Sequence, residues 1–220
     1  MSGSSGIVDM NGFELGTPAL ICRWRLSKRR LPLENRHMRG LLARTVNGQQ
    51  VTPELVAWAK QHIEWTLDAG AIEHPDGTLM LIVDTEGRAA MTVGPYEPLA
   101  DDSLIGLARR AERATREART TGVAPETLWL VKDNVLVWSP GESCAASGAA
   151  SLIDQLAHTL GISVRTKEGI AESVLAGTAV YDEAFLASDE HGIVVARDAA
   201  GNHGKRMAMG YQRLLERIDS

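Results

Sequence analysis

The chain has 220 residues, of which 44% are hydrophobic and 23% are charged, with a formal net charge of −5. These values are typical of a globular protein with a buried core, so they exclude a disordered or fibrous chain, and the charge gives no overall attraction to nucleic acid. No apolar run approaches the roughly 18 residues of a membrane span, and no basic start with a hydrophobic stretch marks a secretory signal. Two cysteines, Cys22 and Cys144, make neither a disulfide framework nor a zinc quartet, so we expect a cytoplasmic protein.

Residues 1–94 are predicted to form an N-terminal α+β lobe. Its predicted elements are a strand at 19–26, a helix at 53–70 and a hairpin of strands at 78–84 and 88–93. Thr52 and Pro53 are typical of a helix start, and Gly70 of a helix end. The sequence Gly94-Pro95-Tyr96-Glu97-Pro98 interrupts these patterns, so we place the boundary with a C-terminal lobe, 95–220, there.

Basic residues are concentrated near the start of the N-terminal lobe. A basic segment between residues 23 and 44 contains Arg23, Arg25, Lys28, Arg29, Arg30, Arg36, Arg39 and Arg44, against the single acid Glu34. Such a segment attracts phosphates, carboxylates or an anionic polymer, and the alternative is a solvated basic edge. No nucleic-acid-binding module accompanies it, so we expect no nucleic-acid partner.

Short helices and strands alternate irregularly in the C-terminal lobe. The predicted elements are a helix from Asp101 or Asp102 to Gly122, strands at 127–131 and 135–138, a helix at 151–160, a strand at 162–166, a helix at 168–176, strands at 183–187 and 193–197, and a helix at 205–218. Lys132-Asp133-Asn134 is predicted to be a turn. This mixture predicts an α+β (mixed α/β) fold in two lobes.

Sequence motifs for nucleotide, nucleophile or metal chemistry are missing. There is no Gly-x-x-x-x-Gly-Lys, no Gly-x-Ser-x-Gly and no His-Glu-x-x-His in the chain. The six histidines fall on separate predicted elements, so we expect no metal site.

Two segments have the chemistry of an anion-binding turn. The first, Ser147-Gly148-Ala149-Ala150-Ser151 (the small-residue turn), precedes a helix, whose first N–H groups point at any anion that the small side chains admit. An ordinary capped helix start is the alternative. The second, 187–192, offers the Ser188 hydroxyl and turn amides, although Asp189 and Glu190 would repel an anion.

The order of these segments resembles the C-terminal domain of the class IV aminotransferases, the fold-type IV pyridoxal-phosphate (PLP) proteins that include D-amino-acid and branched-chain aminotransferases and aminodeoxychorismate lyase. In that family a Gly-(Ile/Val)-Thr-Arg turn opens a helix and binds cofactor phosphate. Here that turn is Gly148, Ala149, Ala150 and Ser151. The family's Asp-Glu-x-Phe-Leu-Thr strand leads to a second phosphate-side loop, and Asp182-Glu183-Ala184-Phe185-Leu186-Ala187-Ser188 stands in its place.

The resemblance extends to the N-terminal lobe. Arg36-His37-Met38-Arg39-Gly40-Leu41-Leu42-Ala43 is similar to the family's His-Leu-x-Arg-Leu-x-x-Ser helix. In the register that sets Arg36 at the family's histidine, Arg39 takes the place of the arginine that contacts cofactor phosphate. The resemblance therefore implies cofactor contacts from Arg39, the small-residue turn and Ser188, and a homodimer.

Two departures from the family bear on its chemistry. The family's Schiff-base lysine is expected around 98–103, and this segment, Pro98-Leu99-Ala100-Asp101-Asp102-Ser103, has none. The family's Gly-x-Val-x-Glu-x-x-x-Asn segment, whose glutamate pairs with the pyridinium nitrogen, is missing between Val131 and Lys132. Transamination needs an amine that holds the cofactor and an anion that keeps its ring an electron sink.

Three functions follow as hypotheses. The first is a divergent relative, without standard transaminase activity, that binds PLP non-covalently or another small anionic ligand. The second is an active PLP-dependent aminotransferase or aminodeoxychorismate lyase-type enzyme that uses a displaced lysine, Lys132 or Lys28. The third is an interaction protein that binds an acidic partner or nucleic acid through the basic segment.

Overall fold

The computed structural model describes residues 14–217. The N-terminal part contains β1 (Pro18–Arg25), α1 (Glu34–Leu42), β2 (Thr45–Val46), β3 (Gln49–Gln50), α2 (Pro53–Gly70), β4 (Thr78–Asp84) and β5 (Ala89–Gly94). Strands β1, β4 and β5 form an antiparallel sheet in the order β1-β4-β5. The predicted helix at 53–70 and the hairpin are confirmed, and the Thr52 hydroxyl accepts a hydrogen bond from the Leu55 N–H, as a helix N-cap does.

Strand β1 presents two chemically different faces. Leu20, Cys22 and Trp24 are buried in the hydrophobic core against α1 and α2. Because side chains alternate along a strand, Arg23 and Arg25 lie on the opposite face, which turns toward the rest of the chain. This alternation places two arginines of the basic segment beside the second sheet.

The C-terminal part is built around a five-stranded sheet with the order β10-β9-β6-β7-β8. Its elements are α3 (Leu104–Thr121), β6 (Glu126–Lys132), β7 (Val135–Trp138), α4 (Gly148–Thr159), β8 (Ser163–Thr166), α5 (Ile170–Leu175), β9 (Glu183–Ser188), β10 (Gly192–Val195) and α6 (Asn202–Glu216). Only β7 and β8 pair in parallel in this sheet. The predicted α+β class is confirmed.

A tight turn joins β6 directly to β7. Asp133 and Asn134 have φ angles of 50° and 60°, the left-handed conformation that a two-residue hairpin turn requires and that Asp and Asn tolerate. The predicted turn at 132–134 is therefore confirmed, and no further strand is inserted between β6 and β7.

Capping side chains move two helix starts away from their predicted positions. The cap of α3 is Ser103, whose hydroxyl accepts from the Gly106 N–H at 3.1 Å, so the prediction of Asp101 or Asp102 was wrong. Helix α4 begins at Gly148 rather than 151, because the Ser147 hydroxyl accepts from the Ala150 N–H at 3.3 Å. The small-residue turn is thus the first turn of α4. The last helix ends at Glu216, and Ile218 lies outside the described residues.

Candidate functional site between the two sheets

The two parts of the chain meet at the turn between β9 and β10. The Arg25 N–H, at the end of β1, donates to the Asp189 carbonyl at 3.0 Å, and the Asp189 N–H donates to the Pro125 carbonyl at 3.1 Å. Backbone hydrogen bonds from both parts therefore fix Asp189.

The Asp189 side chain occupies the start of α4. Its Oδ1 accepts a hydrogen bond from the Ala149 N–H at 2.8 Å, and the residue is 5% exposed. Backbone N–H groups in the first turn of a helix carry partial positive charge and bind anions. The anion at the small-residue turn is therefore a carboxylate of the chain itself.

Two buried side chains, His37 and Arg44, interact with this carboxylate. His37 Nδ1 lies 3.7 Å from Asp189 Oδ1, an ion-pair distance, and its ring stacks on Trp24. Burial alone would raise the pKa of the Asp189 carboxyl, but His37, the Ala149 N–H and the buried guanidinium of Arg44 outweigh it and hold that pKa below its usual value. Asp189 is consequently ionised at neutral pH.

The close approach of His37 explains the glycine at the start of α4. A Cβ at position 148 would lie 2.5 Å from His37 Nδ1 and 3.3 Å from Asp189 Oδ1. Any side chain there would displace His37 or the carboxylate. Gly148 therefore serves the contact between α1 and α4 inside the protein, and a ligand is not needed to account for it.

The predicted site residues fall into three separate environments. Gly148, Ala149 and Ala150 are buried beneath Asp189, while the half-buried Ser151 accepts a hydrogen bond from Arg36 at 3.0 Å. Ser188 is buried, but it donates to Glu126 Oε1 at 3.0 Å and contacts no part of the small-residue turn by a hydrogen bond. Arg39 is exposed on α1 and makes no hydrogen bond or ion pair with either group among residues 14–217.

A cavity of about 240 Å³, the interlobe cleft, lies between β1, α3 and the ends of β6 and β9. Arg110, on its wall, is held by Glu126 through hydrogen bonds of 2.9 and 2.8 Å. Two further arginines, Arg23 and Arg113, line the cleft, and no acidic side chain of the described chain lies within 4.0 Å of either guanidinium. Burial raises the pKa of Glu190, which lines the same cleft. Glu117 also lines the cleft, so its walls carry three arginines and three glutamates, of which Glu126 pairs with Arg110 and Glu117 lies 3.8 Å from Arg44.

His191 joins the cleft to the segment that follows β5. Its Nε2 lies 3.1 Å from Arg110 Nη2, and its Nδ1 lies 3.4 Å from the Tyr96 hydroxyl. Burial and the neighbouring positive charge of Arg110 lower the pKa of His191 to about 4. The imidazole is therefore neutral at physiological pH.

Sequence comparison and structure comparison give different results for this chain. No protein-family model matches it, and no curated protein sequence does. It superposes on 4-amino-4-deoxychorismate lyase from Pseudomonas aeruginosa with a TM-score of 0.59 and 15% identity, over 100% of this chain and 97% of the other. The chain has the class IV aminotransferase fold.

Two other solved structures agree with this fold. A hypothetical aminotransferase from Mycobacterium tuberculosis in a PLP-bound form has a TM-score of 0.60 and 14% identity, covering 93% of this chain and 96% of its own. A putative 4-amino-4-deoxychorismate lyase from Legionella pneumophila has a TM-score of 0.56 and 11% identity, covering 97% and 96%. The resemblance inferred from the sequence is confirmed at the level of the fold.

The family motif also matches α1 in a second register. Shifted by one residue, His37-Met38-Arg39-Gly40-Leu41 matches the pattern His-Leu-x-Arg-Leu with glycine at the arginine position. His37 and Gly40 both lie against α4, where a Cβ on Gly40 would lie 3.9 Å from the Gly148 nitrogen, and Arg36 also reaches α4 through its hydrogen bond to Ser151. The histidine in the motif was the sequence signal for this register.

The lysines of the chain lie away from the cleft. Lys132 is the last residue of β6 and pairs with Asp182 at 3.0 Å, and Lys28 donates to the Glu216 carbonyl at 2.9 Å. The remaining lysines, Lys60, Lys167 and Lys205, are exposed. None of them lines the interlobe cleft.

The residues at the small-residue turn and on the wall of the interlobe cleft do not fit PLP. A cofactor phosphate at the small-residue turn would meet the ionised Asp189 carboxylate, which already accepts the hydrogen bond of the Ala149 N–H. Two anions at one helix start repel each other in a buried site. With no lysine on the cleft wall, a Schiff base has no amine either.

The basic segment does not form one surface. Arg23 lines the cleft, Arg25 lies over the Tyr96 ring, and Arg44 is 2% exposed and 3.8 Å from Glu117. The alternation of β1 and the packing of α1 send these side chains in different directions.

No group of His, Cys, Asp and Glu side chains within 14–217 is arranged to hold a metal ion.

Proposed function

We propose that this protein binds a small dicarboxylate in the interlobe cleft and carries out no PLP-dependent reaction. The observation that supports this most directly is the pair of guanidinium groups, Arg23 and Arg113, that line the cleft with no acidic group of residues 14–217 within 4.0 Å, although Glu117 and Glu190 line the same cleft. Guanidinium groups form bidentate, charge-assisted hydrogen bonds with carboxylates. Two such groups, one on β1 and one on α3, favour a ligand with two carboxylates.

The size of the cleft limits the ligand. Its volume of about 240 Å³ lies below the range of roughly 300–1,000 Å³ that is typical of drug-sized ligands. Glu126 pairs with Arg110 and Glu117 lies 3.8 Å from Arg44, so Arg23 and Arg113 remain for the ligand. Glu190 limits the negative charge that the cleft accepts. A short-chain dicarboxylate such as succinate satisfies both limits.

Calorimetric titration with succinate tests this proposal. The variants Arg23→Gln and Arg113→Gln should each weaken binding about 10- to 100-fold, since each removes a charge-assisted contact. Arg116→Gln is the matched control, because Arg116 lies on the same helix but pairs with Glu112 at 2.7 Å outside the cleft. Absence of succinate binding by the unmodified chain, or equal losses in all variants, would contradict the proposal.

A second measurement tests the absence of a PLP adduct. Incubation with PLP should give no imine absorbance, and borohydride treatment should leave every lysine unmodified by mass spectrometry. A single labelled lysine at one equivalent of PLP would show that an amine reaches the cofactor, and would favour the displaced-lysine enzyme.

Homodimer formation and a cytoplasmic location stay predictions. No helix within the described ranges is long and apolar enough to cross a bilayer.

A further inference from the structure

A second cavity, the α6 cavity, shares no lining residue with the interlobe cleft. It has a volume of about 420 Å³ and lies between the end of β1, Tyr96, β10 and α6. This volume falls within the range of small-molecule sites. Its lining divides into a polar end, with Arg25, Tyr96, His191 and Gln212, and an apolar end of β10 and α6 side chains.

The polar end contains a guanidinium group without an anion. Arg25 lies over the Tyr96 ring, with its Cζ 3.3 Å from the ring centroid. One of its terminal nitrogens, Nη1, is buried and has no hydrogen-bond partner, and no acidic side chain between residues 14 and 217 lies within ion-pair distance of the group. Arg25 is half-buried, and leaving its buried Nη1 without a partner is costly, so an anion in the adjoining cavity removes that cost.

The neighbouring hydrogen bonds make Tyr96 a donor to the same cavity. Arg110 can only donate, so His191 Nε2, at 3.1 Å from Arg110 Nη2, is the acceptor and carries no proton. In the neutral imidazole the proton is then on Nδ1, which donates to the Tyr96 oxygen at 3.4 Å. The Tyr96 hydroxyl proton is consequently available for a ligand beside Arg25.

The other end of the cavity suits a hydrocarbon group. Ile193, Leu215 and the ring of Tyr211 contribute apolar surface, and Met209 is 54% exposed at the edge. A Cβ at Gly192 would overlap the Tyr211 ring, so the glycine allows this ring to form the wall. A methionine side chain adapts its shape to different apolar ligands.

We propose that the α6 cavity binds a monocarboxylate with a short apolar body, its carboxylate at Arg25 and the Tyr96 hydroxyl and its hydrocarbon part against Ile193 and Met209. A neutral ligand leaves the guanidinium unpaired, and a small hydrophilic anion leaves the apolar wall uncovered. Both halves of the ligand are therefore required for tight binding.

Hexanoate is the probe for this site, with hexanamide and acetate as comparisons. Calorimetry should show one hexanoate bound per chain, with hexanamide and acetate each weaker by about 10-fold or more. Arg25→Gln should weaken hexanoate binding about 10- to 100-fold, and Tyr96→Phe by a smaller factor. Arg25 packs against Tyr96, so replacing either residue also changes that contact. Met209→Glu therefore tests the same site from its exposed edge, where the substitution leaves the core unchanged. It should also weaken binding about 10-fold, through charge repulsion and lost apolar contact.

Arg23→Gln separates this inference from the proposed dicarboxylate site. Arg23 is two positions from Arg25 on the same strand face but lines only the interlobe cleft. Arg23→Gln should weaken succinate binding and keep hexanoate binding. Arg25→Gln should weaken hexanoate binding and keep succinate binding. Failure of the unmodified chain to bind hexanoate, or an equal loss in Arg23→Gln and Arg25→Gln, would overturn the inference.

Discussion

Replacing Asp189 with glycine removes the internal anion of α4 and leaves a space of matching shape. The deleted group, a methylene and a carboxylate, corresponds to acetate. Three contacts lose their partner: the Ala149 N–H at 2.8 Å, the His37 ring at 3.7 Å and the electrostatic interaction with Arg44. The backbone hydrogen bonds of residue 189 to Arg25 and Pro125 involve main-chain atoms only, so the turn can keep its path.

The cost of this change can be worked from the contacts. A hydrogen bond to a charged group contributes about 1.5–3 kcal/mol, and a charge at a partly buried helix end contributes up to ~2 kcal/mol. The two contributions overlap, so we expect a loss of about 3 kcal/mol. For a chain of this length, each kcal/mol lowers Tm by roughly 2–4 °C, which predicts a decrease of about 10 °C.

Acetate rescue distinguishes an empty anion site from general damage. Thermal unfolding of Asp189→Gly should shift upward and saturate with added acetate, and should not shift with chloride at the same ionic strength. Asp189→Asn is the matched control, because it keeps the volume and loses the charge, so it should be destabilised without being rescued. Unfolding of Asp189→Gly within 1 °C of the unmodified chain (roughly the effect of 0.3 kcal/mol) would refute the reasoning, as would equal responses to acetate and chloride.

Two further predictions concern groups around the same turn. Since the pKa of His191 is lowered from 6.5 to about 4, the unfolded chain binds a proton in that range that the folded chain does not, so stability should fall as pH decreases from 6.5 to 4. His191→Gln should flatten this dependence in pH-dependent urea unfolding, and an unchanged slope would exclude a buried neutral imidazole. Gly148→Ala should cost about 1–3 kcal/mol, because its Cβ would lie 2.5 Å from His37 Nδ1. In a double-mutant cycle His37→Ala should recover part of that loss, whereas strict additivity would show that the two positions are not in contact.

Local signals in the sequence were sufficient for most of the fold. The cap at Thr52, the end of α2 near Gly70 and the left-handed turn at Asp133 and Asn134 each depend on residues close together in the chain. The start of α3 was misplaced because Asp101 and Ser103 compete as caps, and Asp101 instead accepts a hydrogen bond from the Ser103 N–H at 3.0 Å. Which of two suitable residues caps a helix depends on the path of the preceding loop, and the sequence does not specify that path.

The candidate site was only partly predictable, for a different reason. The small-residue turn is indeed the first turn of a helix, but the group that fills it, Asp189, is 40 positions away along the chain. From sequence, a carboxylate beside an expected phosphate site indicates repulsion. In three dimensions the same carboxylate is the anion, and a register shift of one residue in α1 brings His37 rather than Arg36 against it. Hydrophobic periodicity along the chain does not reveal long-range contacts of this kind.

The position of Asp189 constrains where any ligand can bind. A phosphate and this carboxylate would compete for the same Ala149 N–H, and two unit charges 4 Å apart repel by about 4 kcal/mol at an effective dielectric constant of 20. Protonating the carboxylate to admit a phosphate is unfavourable too, since its pKa is held below the usual value. Arg23 and Arg113 line one cavity and Arg25 lines another, and no acidic side chain of residues 14–217 lies within ion-pair distance of these three groups. Because Asp189 already occupies the Ala149 N–H, we expect the two cavities to recognise anions through these arginines, and to bind carboxylates better than phosphate monoesters of the size of PLP.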